Sequence, residues 1–278
     1  MKTRLDVALF ERGLAKSREE ARALVLAGQV YLSEVKAEKA GQFVTEETQI
    51  IVRGDTCPYV SRGGYKLQKA MESFPITLDG KTCADIGAST GGFTDCMLQR
   101  GAAKVYAIDV GKGILHWKLR NYARVVVMEE TNARHVESLP EKVSFVTVDA
   151  SFISLKILLP VVKKWFNFFP PASLDEGKQK EERTILALIK PQFEAGRKDV
   201  SRGDGVIRDP EIHKQVLQDV LSFAKQEGFG LLGLIKSPLL GPKGNAEFLV
   251  WLDLHSEGKS VEELVNGVME KEIAASGE

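Results

Sequence analysis

From residue 80 onward, short apolar runs alternate with helical stretches, and this alternation leaves few folds open to the chain. Thr82–Ile86, Lys104–Ile108, Val125–Met128, Val143–Val148 and Thr184–Ile189 read as short buried strands. Helical segments between them imply right-handed βαβ crossovers and a parallel sheet. Two further strands are expected at Gly230–Lys236 and Glu247–Leu254. Their connector, SPLLGPKGNA, holds Pro238, Gly241, Pro242 and Gly244 and has no room for a helix. The last two strands should therefore run antiparallel. Residues 167–183, NFFPPASLDEGKQKEER, read as a polar loop.

Residues 1–57 read as a separate, smaller α+β unit. Leu5, Ala8 and Leu9 line one side of a short helix that ends at Gly13. Ser17 opens a second helix with Glu20 three residues on, a capping-box pattern. Ala21, Leu24 and Val25 form its apolar face, and Gly28 ends it. Val30–Leu32 and Gln49–Val52 look like strands. Residues 58–65, PYVSRGGY, read as a linker to the larger domain at 66–278.

Composition removes several function classes. Lys+Arg and Asp+Glu are both 38, so overall charge does not point to a nucleic acid. Any such partner must be recognised by local basic patches. Three cysteines without a CxxC pair fit a reduced, cytoplasmic setting. The N-terminus lacks the apolar run of a signal peptide, and the longest apolar stretch, near 157–162, is far short of a membrane span. The four histidines are scattered singly, so no metal site is expected.

The chemistry-bearing residues fall at strand ends. ADIGASTGGFTD follows the first large-domain strand and opens a helix, with Asp85, Gly87, Ser89, Gly91, Gly92 and Phe93 as candidate cofactor contacts. Its glycines permit a tight turn and close backbone approach to a ligand. Ser89 stands where a GxGxxG turn has its second glycine, which suits a ligand without a pyrophosphate at this turn. Asp109 ends the next strand and could accept hydrogen bonds from two ribose hydroxyls. Asn132, after the third strand, could meet an adenine edge. Asp149 ends the fourth strand, Lys190 ends the fifth, and Glu247 starts the antiparallel last strand at the same edge. Lys66 enters from the helix before the sheet. Two cations and two anions thus converge on one side of the expected pocket.

Four resemblances sharpen this reading. RLDVALFERGLAKSREEARALVLAGQVYL is similar to the RNA-binding domain first seen in ribosomal protein S4. That resemblance implies RNA contacts at Arg4, Lys16, Arg18 and Arg22, and Arg62 extends the basic set within the expected linker. Five parallel strands and a closing antiparallel pair resemble the α/β, Rossmann-like, seven-stranded plan of S-adenosylmethionine-dependent methyltransferases. The large domain resembles the FtsJ-like ribose 2′-O-methyltransferases, whose Lys–Asp–Lys–Glu set matches Lys66, Asp149, Lys190 and Glu247. With VSRGGYKL, DIGASTGGFTD, DVGKGILHWKLR and KPQFE in order, the chain resembles the TlyA family, also called hemolysin A, from about residue 3 to residue 254. The resemblance implies S-adenosylmethionine as cofactor, with Asp149 bordering both sites, and ribosomal RNA or ribosomal subunits as partner. Lys190 would serve as general base or would stabilise the developing alkoxide.

Other readings are weaker. TVDASF lacks the Asn/Asp-Pro-Pro-aromatic pattern of adenine amino methylation. A membrane-active toxin would need a spanning or strongly amphipathic segment. Arg4-Leu5-Asp6 is reminiscent of pseudouridine synthases but lies within the small unit, without a catalytic scaffold. A non-catalytic RNA-binding protein would require a degenerate cofactor pocket.

Overall fold

The computed structural model describes residues 2–26, 28–33, 35–52, 57–168, 183–196 and 205–276. The chain divides into two compact units, Met1–Pro58 and Tyr59–Glu278.

In the first unit, β1 (Lys2–Arg4) leads into α1 (Leu5–Glu11) and α2 (Arg18–Leu26). β2 (Val30–Leu32), β3 (Val35–Lys36), β4 (Phe43–Thr45) and β5 (Ile50–Val52) follow. The Glu20 N–H donates to Ser17 Oγ at 3.1 Å, and the Glu20 carboxylate accepts the Lys16 N–H. Two otherwise orphaned donors at the start of α2 are thereby satisfied. Leu5, Ala8 and Leu9 of α1 meet Ala21, Leu24 and Val25 of α2 and Val30 of β2 in one apolar cluster. β2 pairs antiparallel with β3 and β5, and β1 pairs antiparallel with β4. β1, β3 and β4 have only two or three residues each. Their pairing is set by tertiary partners and not by any apolar run of their own.

The second unit begins with α3 (Gly64–Ser73), β6 (Thr82–Ile86), α4 (Gly92–Gln99), β7 (Lys104–Ile108), α5 (Trp117–Arg120) and β8 (Val125–Met128). It continues with β9 (Phe145–Val148), α6 (Leu155–Phe168), β10 (Thr184–Ile189), α7 (Pro191–Glu194) and α8 (Pro210–Gln226). β11 (Gly230–Lys236), β12 (Phe248–Asp253) and α9 (Val261–Ser276) complete it. The sheet order is β11-β12-β10-β9-β6-β7-β8. β12 is antiparallel to both neighbours, and the pairs among β10, β9, β6, β7 and β8 are parallel. The connector between β11 and β12 holds a single 3-10 turn, Pro242–Gly244.

Period-two alternation sends the strands' side chains to two separate cores. Ala84, Ile86, Val146 and Val148 join Leu158, Leu159, Val162 and Trp165 of α6 on one face. Cys83, Phe145, Leu186 and Leu188 join Leu67 of α3 and Phe93, Cys96 and Met97 of α4 on the other. α6 buries Leu155, Leu158, Leu159, Val162, Trp165 and Phe166, the i, i+3, i+4, i+7 spacing of a helix lying on a sheet. Burying each such large side chain stabilises the fold by about 1.5–3 kcal/mol.

One boundary differs from expectation. The supposed linker 58–65 is mostly part of the second unit. The Val60 N–H donates to Asp95 Oδ2 at 2.8 Å, and the Tyr59 hydroxyl donates to Gln68 Oε1 at 3.0 Å. α3 starts at Gly64, two residues before Lys66, because glycines let it lie close to the α4 turn. A Cβ on Gly92 would fall 2.8 Å from the Gly64 nitrogen. Most of the expected polar loop at 167–183 lies outside the described residues. Asn167 and Phe168 finish α6, and Arg183 precedes β10.

Candidate active site

Strand register brings the charged residues to one edge. Ile86 pairs with Ile108 and with Val148, Ala187 pairs with Val148, and Ile189 pairs with Phe248. The residues that follow β6, β7, β9 and β10 are Gly87, Asp109, Asp149 and Lys190, so all four emerge at the carboxyl edge. Glu247 precedes the antiparallel β12 and arrives at the same edge. Lys66 reaches it from the first turns of α3.

Lys66 Nζ lies 2.6 Å from Glu247 Oε2 and 3.5 Å from Asp149 Oδ2. Lys190 Nζ lies 2.5 Å from Asp149 Oδ1, and it donates to Ser151 Oγ at 3.2 Å. The side chains are 11% (Lys66), 7% (Lys190), 19% (Asp149) and 0% (Glu247) exposed. Charges this dry are tolerated only when they compensate one another, and here two cations meet two anions. Glu247 Oε1 is buried without a hydrogen-bond partner among the described residues.

Next to this cluster is a cavity of about 1130 Å3. Gly87, Ser89, Asp109, Asn132 and Asp149 line it, all expected cofactor contacts. Gly87 has φ +82°, and a Cβ there would sit 2.6 Å from the Asp149 carbonyl oxygen. A side chain at 87 would push Asp149 out of place. Asp109 accepts the Ser89 N–H on Oδ2 and the Gly111 N–H on Oδ1, both at 2.8 Å. This carboxylate ties the Gly-rich turn to the loop after β7. Ser89 holds φ +50° without being glycine, a conformation the turn imposes. Asn132 Oδ1 accepts the Arg134 N–H at 3.1 Å and so caps the 3-10 turn Ala133–His135.

Asp85, Gly91, Gly92 and Phe93, also expected cofactor contacts, do not line the cavity. The strand alternation turns Asp85 inward, where it accepts the hydroxyls of Thr94 at 2.7 Å and Thr147 at 2.8 Å. Complete burial pushes its pKa up to about 6, against those two bonds. It fastens β6 to β9 and to α4. Gly91, at φ +97°, begins α4 where a Cβ would strike Leu119 Cδ1 at 2.2 Å. Gly92 faces Gly64, and Phe93 points into the core beneath α4. These residues shape the turn from behind.

Sequence reasoning missed several lining residues. Phe152 is 91% exposed at φ +63° and packs its ring 4.9 Å from Phe193. Both line the cavity, as do Ser151 and Gln192. Glu194 accepts the Ser154 hydroxyl at 2.5 Å and the Leu155 N–H at 2.7 Å, fixing the segment after β9 at the start of α6. Burial raises its pKa. The signal lay in TVDASF and KPQFE, which place Ser151 and Phe152 after Asp149, and Gln192, Phe193 and Glu194 after Lys190.

In the first unit, Arg4, Arg18 and Arg22 gather on the buried carboxylate of Asp6 at 3.0, 3.5 and 3.0 Å. The Arg4 hydrogen bond holds Asp6 well below the usual carboxylate range. Asp6 is therefore an ion-paired organising group. Lys16 is exposed. Arg62 is exposed in the second unit, just before α3.

A seven-stranded sheet with one antiparallel strand, a Gly-rich turn and an acid at the next strand end define the Rossmann-like methyltransferase class of fold. The FtsJ-like methyltransferase family matches residues 59–254, and the S4 domain matches residues 3–50. The chain belongs to the FtsJ-like methyltransferase family and carries an N-terminal S4 domain. It is 42% identical over 254 residues to "16S/23S rRNA (cytidine-2'-O)-methyltransferase TlyA" of Mycobacterium tuberculosis, covering 90% of each chain. It is 41% identical over 249 residues to "Hemolysin A" of Brachyspira hyodysenteriae, covering 88% of this chain and 98% of that one. The solved structure of a hemolysin candidate from Streptococcus thermophilus superposes with a TM-score of 0.71 at 39% identity, covering 99% and 98% of the two chains. Among the described residues no helix is long and apolar enough to cross a membrane, and no cluster of His, Cys, Asp and Glu could hold a metal ion.

Proposed function

We infer that the protein methylates a ribose 2′-hydroxyl of ribosomal RNA, free or in ribosomal subunits, in the cytoplasm, with S-adenosylmethionine as methyl donor. The observation that carries this reading is the closed Lys66–Glu247 and Lys190–Asp149 network beside the cavity. The residues present fit the cofactor. Asp109 offers carboxylate oxygens at the end of β7 to ribose hydroxyls, Asn132 offers an amide to the adenine edge, and the Gly87 turn leaves backbone exposed to the methionine portion. When bound, S-adenosylmethionine supplies an electrophilic methyl on sulfonium sulfur.

The protein's own groups handle the acceptor. Lys190, held by Asp149 and Ser151, orients the 2′-oxygen and stabilises negative charge as its bond to the methyl carbon forms. The 2′-hydroxyl proton passes to a carboxylate oxygen of Asp149, the acceptor in the Lys190–Asp149 pair. Lys66, locked by Glu247, positions the ribose and balances Asp149. A hydroxyl acceptor suits this set better than a ring carbon, which needs a thiolate nucleophile. Cys83 and Cys96 are buried in the core, and burial pushes their thiols up to about 12 and about 11.

The S4 domain, with Arg4, Lys16, Arg18 and Arg22, serves as the RNA anchor, and Arg62 adds a contact from the second unit. The test is incubation with methyl-labelled cofactor and purified ribosomal subunits, then nuclease digestion of the RNA. Label recovered as a 2′-O-methyl nucleoside is the expected result. Label on a base refutes the hydroxyl mechanism.

A further inference from the structure

Asp6 has no place in the chemistry described above, yet it is fully buried and three arginines converge on it. Arg4 grips it in a fork, Nε to Oδ1 at 3.0 Å and Nη2 to Oδ2 at 3.2 Å. Arg22 Nε reaches Oδ2 at 3.0 Å, and Arg18 Nη2 reaches it at 3.5 Å. The carboxylate is 0% exposed, whereas the arginine side chains are 45%, 51% and 48% exposed in that order. Each guanidinium thus turns one edge inward to Asp6 and keeps other N–H groups toward water, since each has five donors. Asp6 is itself anchored, because its N–H donates to the Ala40 carbonyl at 2.9 Å. Gly41 admits the Arg4 head, since a Cβ there would come within 3.3 Å of both of its terminal nitrogens. Glu19, in the first turn of α2, feels Arg22 and Arg18 but leaves the cluster net positive.

Three long cations are thereby fixed in one place before any ligand arrives. Arginine forks match phosphate oxygens in shape as well as charge. We propose that Asp6 is a positioning residue that holds Arg4, Arg18 and Arg22 as a preset cradle for an RNA backbone phosphate. The proposal rests on the reading of the first unit as an RNA anchor and adds the acid that makes its arginines act together. Without Asp6 the same charges remain, but three mobile side chains must be ordered at the moment of binding.

Charge alone and positioning give opposite signs on one substitution. Asp6→Asn removes a negative charge, so charge steering alone would tighten RNA binding. Positioning would weaken it, on the order of tenfold for side chains of this length. The measurement is fluorescence anisotropy of a labelled stem-loop RNA with the full chain across a salt series, with folding of the variant checked by circular dichroism. Weaker binding by a folded Asp6→Asn chain supports the cradle; equal or tighter binding overturns it. If Asp6→Asn does not fold, Arg4→Lys with Arg22→Lys decides the matter. That pair keeps the charge count and so the salt slope, but loses the forks. Its affinity should fall about tenfold at constant slope, and unchanged affinity overturns the proposal. A wild-type chain that does not bind this RNA overturns the anchor reading itself, and the cradle with it.

Discussion

Replacing Glu247 by Leu should destabilise the protein by far more than one side chain's packing is worth. Glu247 is fully buried, and its Oε2 accepts from Lys66 Nζ at 2.6 Å. Removing the carboxylate leaves Lys66, 11% exposed, with Asp149 at 3.5 Å as its other acid partner. Breaking a buried pair by deleting one member costs about 3–5 kcal/mol. Because Asp149 still compensates in part, the lower end of that range applies, about 3 kcal/mol. For a unit of this size each kcal/mol shifts Tm by about 2–4 °C, so a fall of roughly 6–12 °C is expected. Adding Lys66→Met removes the stranded cation as well. Apolar replacement of both members of a buried pair is often neutral or stabilising. The double variant should therefore melt within a few degrees of wild type, while both variants lose methyl transfer. Calorimetry on the full chain, with a parallel methyl-transfer assay, reads both effects. A single variant that melts as wild type does, or a double variant no more stable than the single, would show that the four charges do not form one compensated network.

Other expectations follow from the same geometry. Asp109→Ala should weaken S-adenosylmethionine binding at least about tenfold by calorimetry, since it removes the proposed ribose acceptor and frees the Ser89 and Gly111 N–H groups; unchanged affinity in a folded variant would remove Asp109 from the site. Asp85 has a pKa raised from 3.8 to about 6, so the folded state holds its proton more tightly and stability contributed there is lost as pH rises between those values. Asp85→Asn should accordingly gain Tm relative to wild type on going from pH 4 to pH 7, and a pH-independent difference would contradict the shift. A chain starting at Cys57 should keep cofactor binding and lose most RNA affinity, and the full chain's RNA affinity should fall steeply with salt; equal RNA binding by both chains would show that the first unit is not the anchor.

The sheet was legible in the sequence because its strands are covered on both faces. Strands at 82–86, 104–108, 125–128, 184–189 and 230–236 fall where the apolar runs put them. The glycine- and proline-rich connector marked the reversal that places β12 antiparallel. β1, β3 and β4 were not legible, since KTR, VK and FVT form no continuous apolar run, whereas the equally short VYL of β2 and IIV of β5 do. PYVSRGGY read as a linker because glycine has two uses. Here Gly92 permits close packing against the Gly64 backbone, a contact separated by 28 positions that no local pattern reveals, while Gly64 itself makes room for the Tyr59 ring. The convergence of the strand-end residues could be read because topology alone brings them to one edge. Asp85 lies one step earlier, where alternation turns it into the core. Phe152 escaped notice because its meaning lies in a left-handed backbone and an exposed ring, both invisible in the letters TVDASF. The Asp6 cluster joins two helices, and arginines spaced for surface exposure gave no hint of a shared buried acid.

Methyl transfer by Lys190→Ala tests the ribose mechanism most directly. Lys190 Nζ sits 2.5 Å from Asp149 and beside Ser151, where it should meet the acceptor oxygen and not the adenosine. The measurement is tritiated-methyl transfer to ribosomal subunits that the wild-type chain methylates, with cofactor binding followed separately by calorimetry. The expected result is a rate loss on the order of 100- to 10,000-fold with cofactor affinity nearly intact. Near-wild-type turnover by Lys190→Ala would contradict the assignment of this charged network to ribose 2′-hydroxyl chemistry.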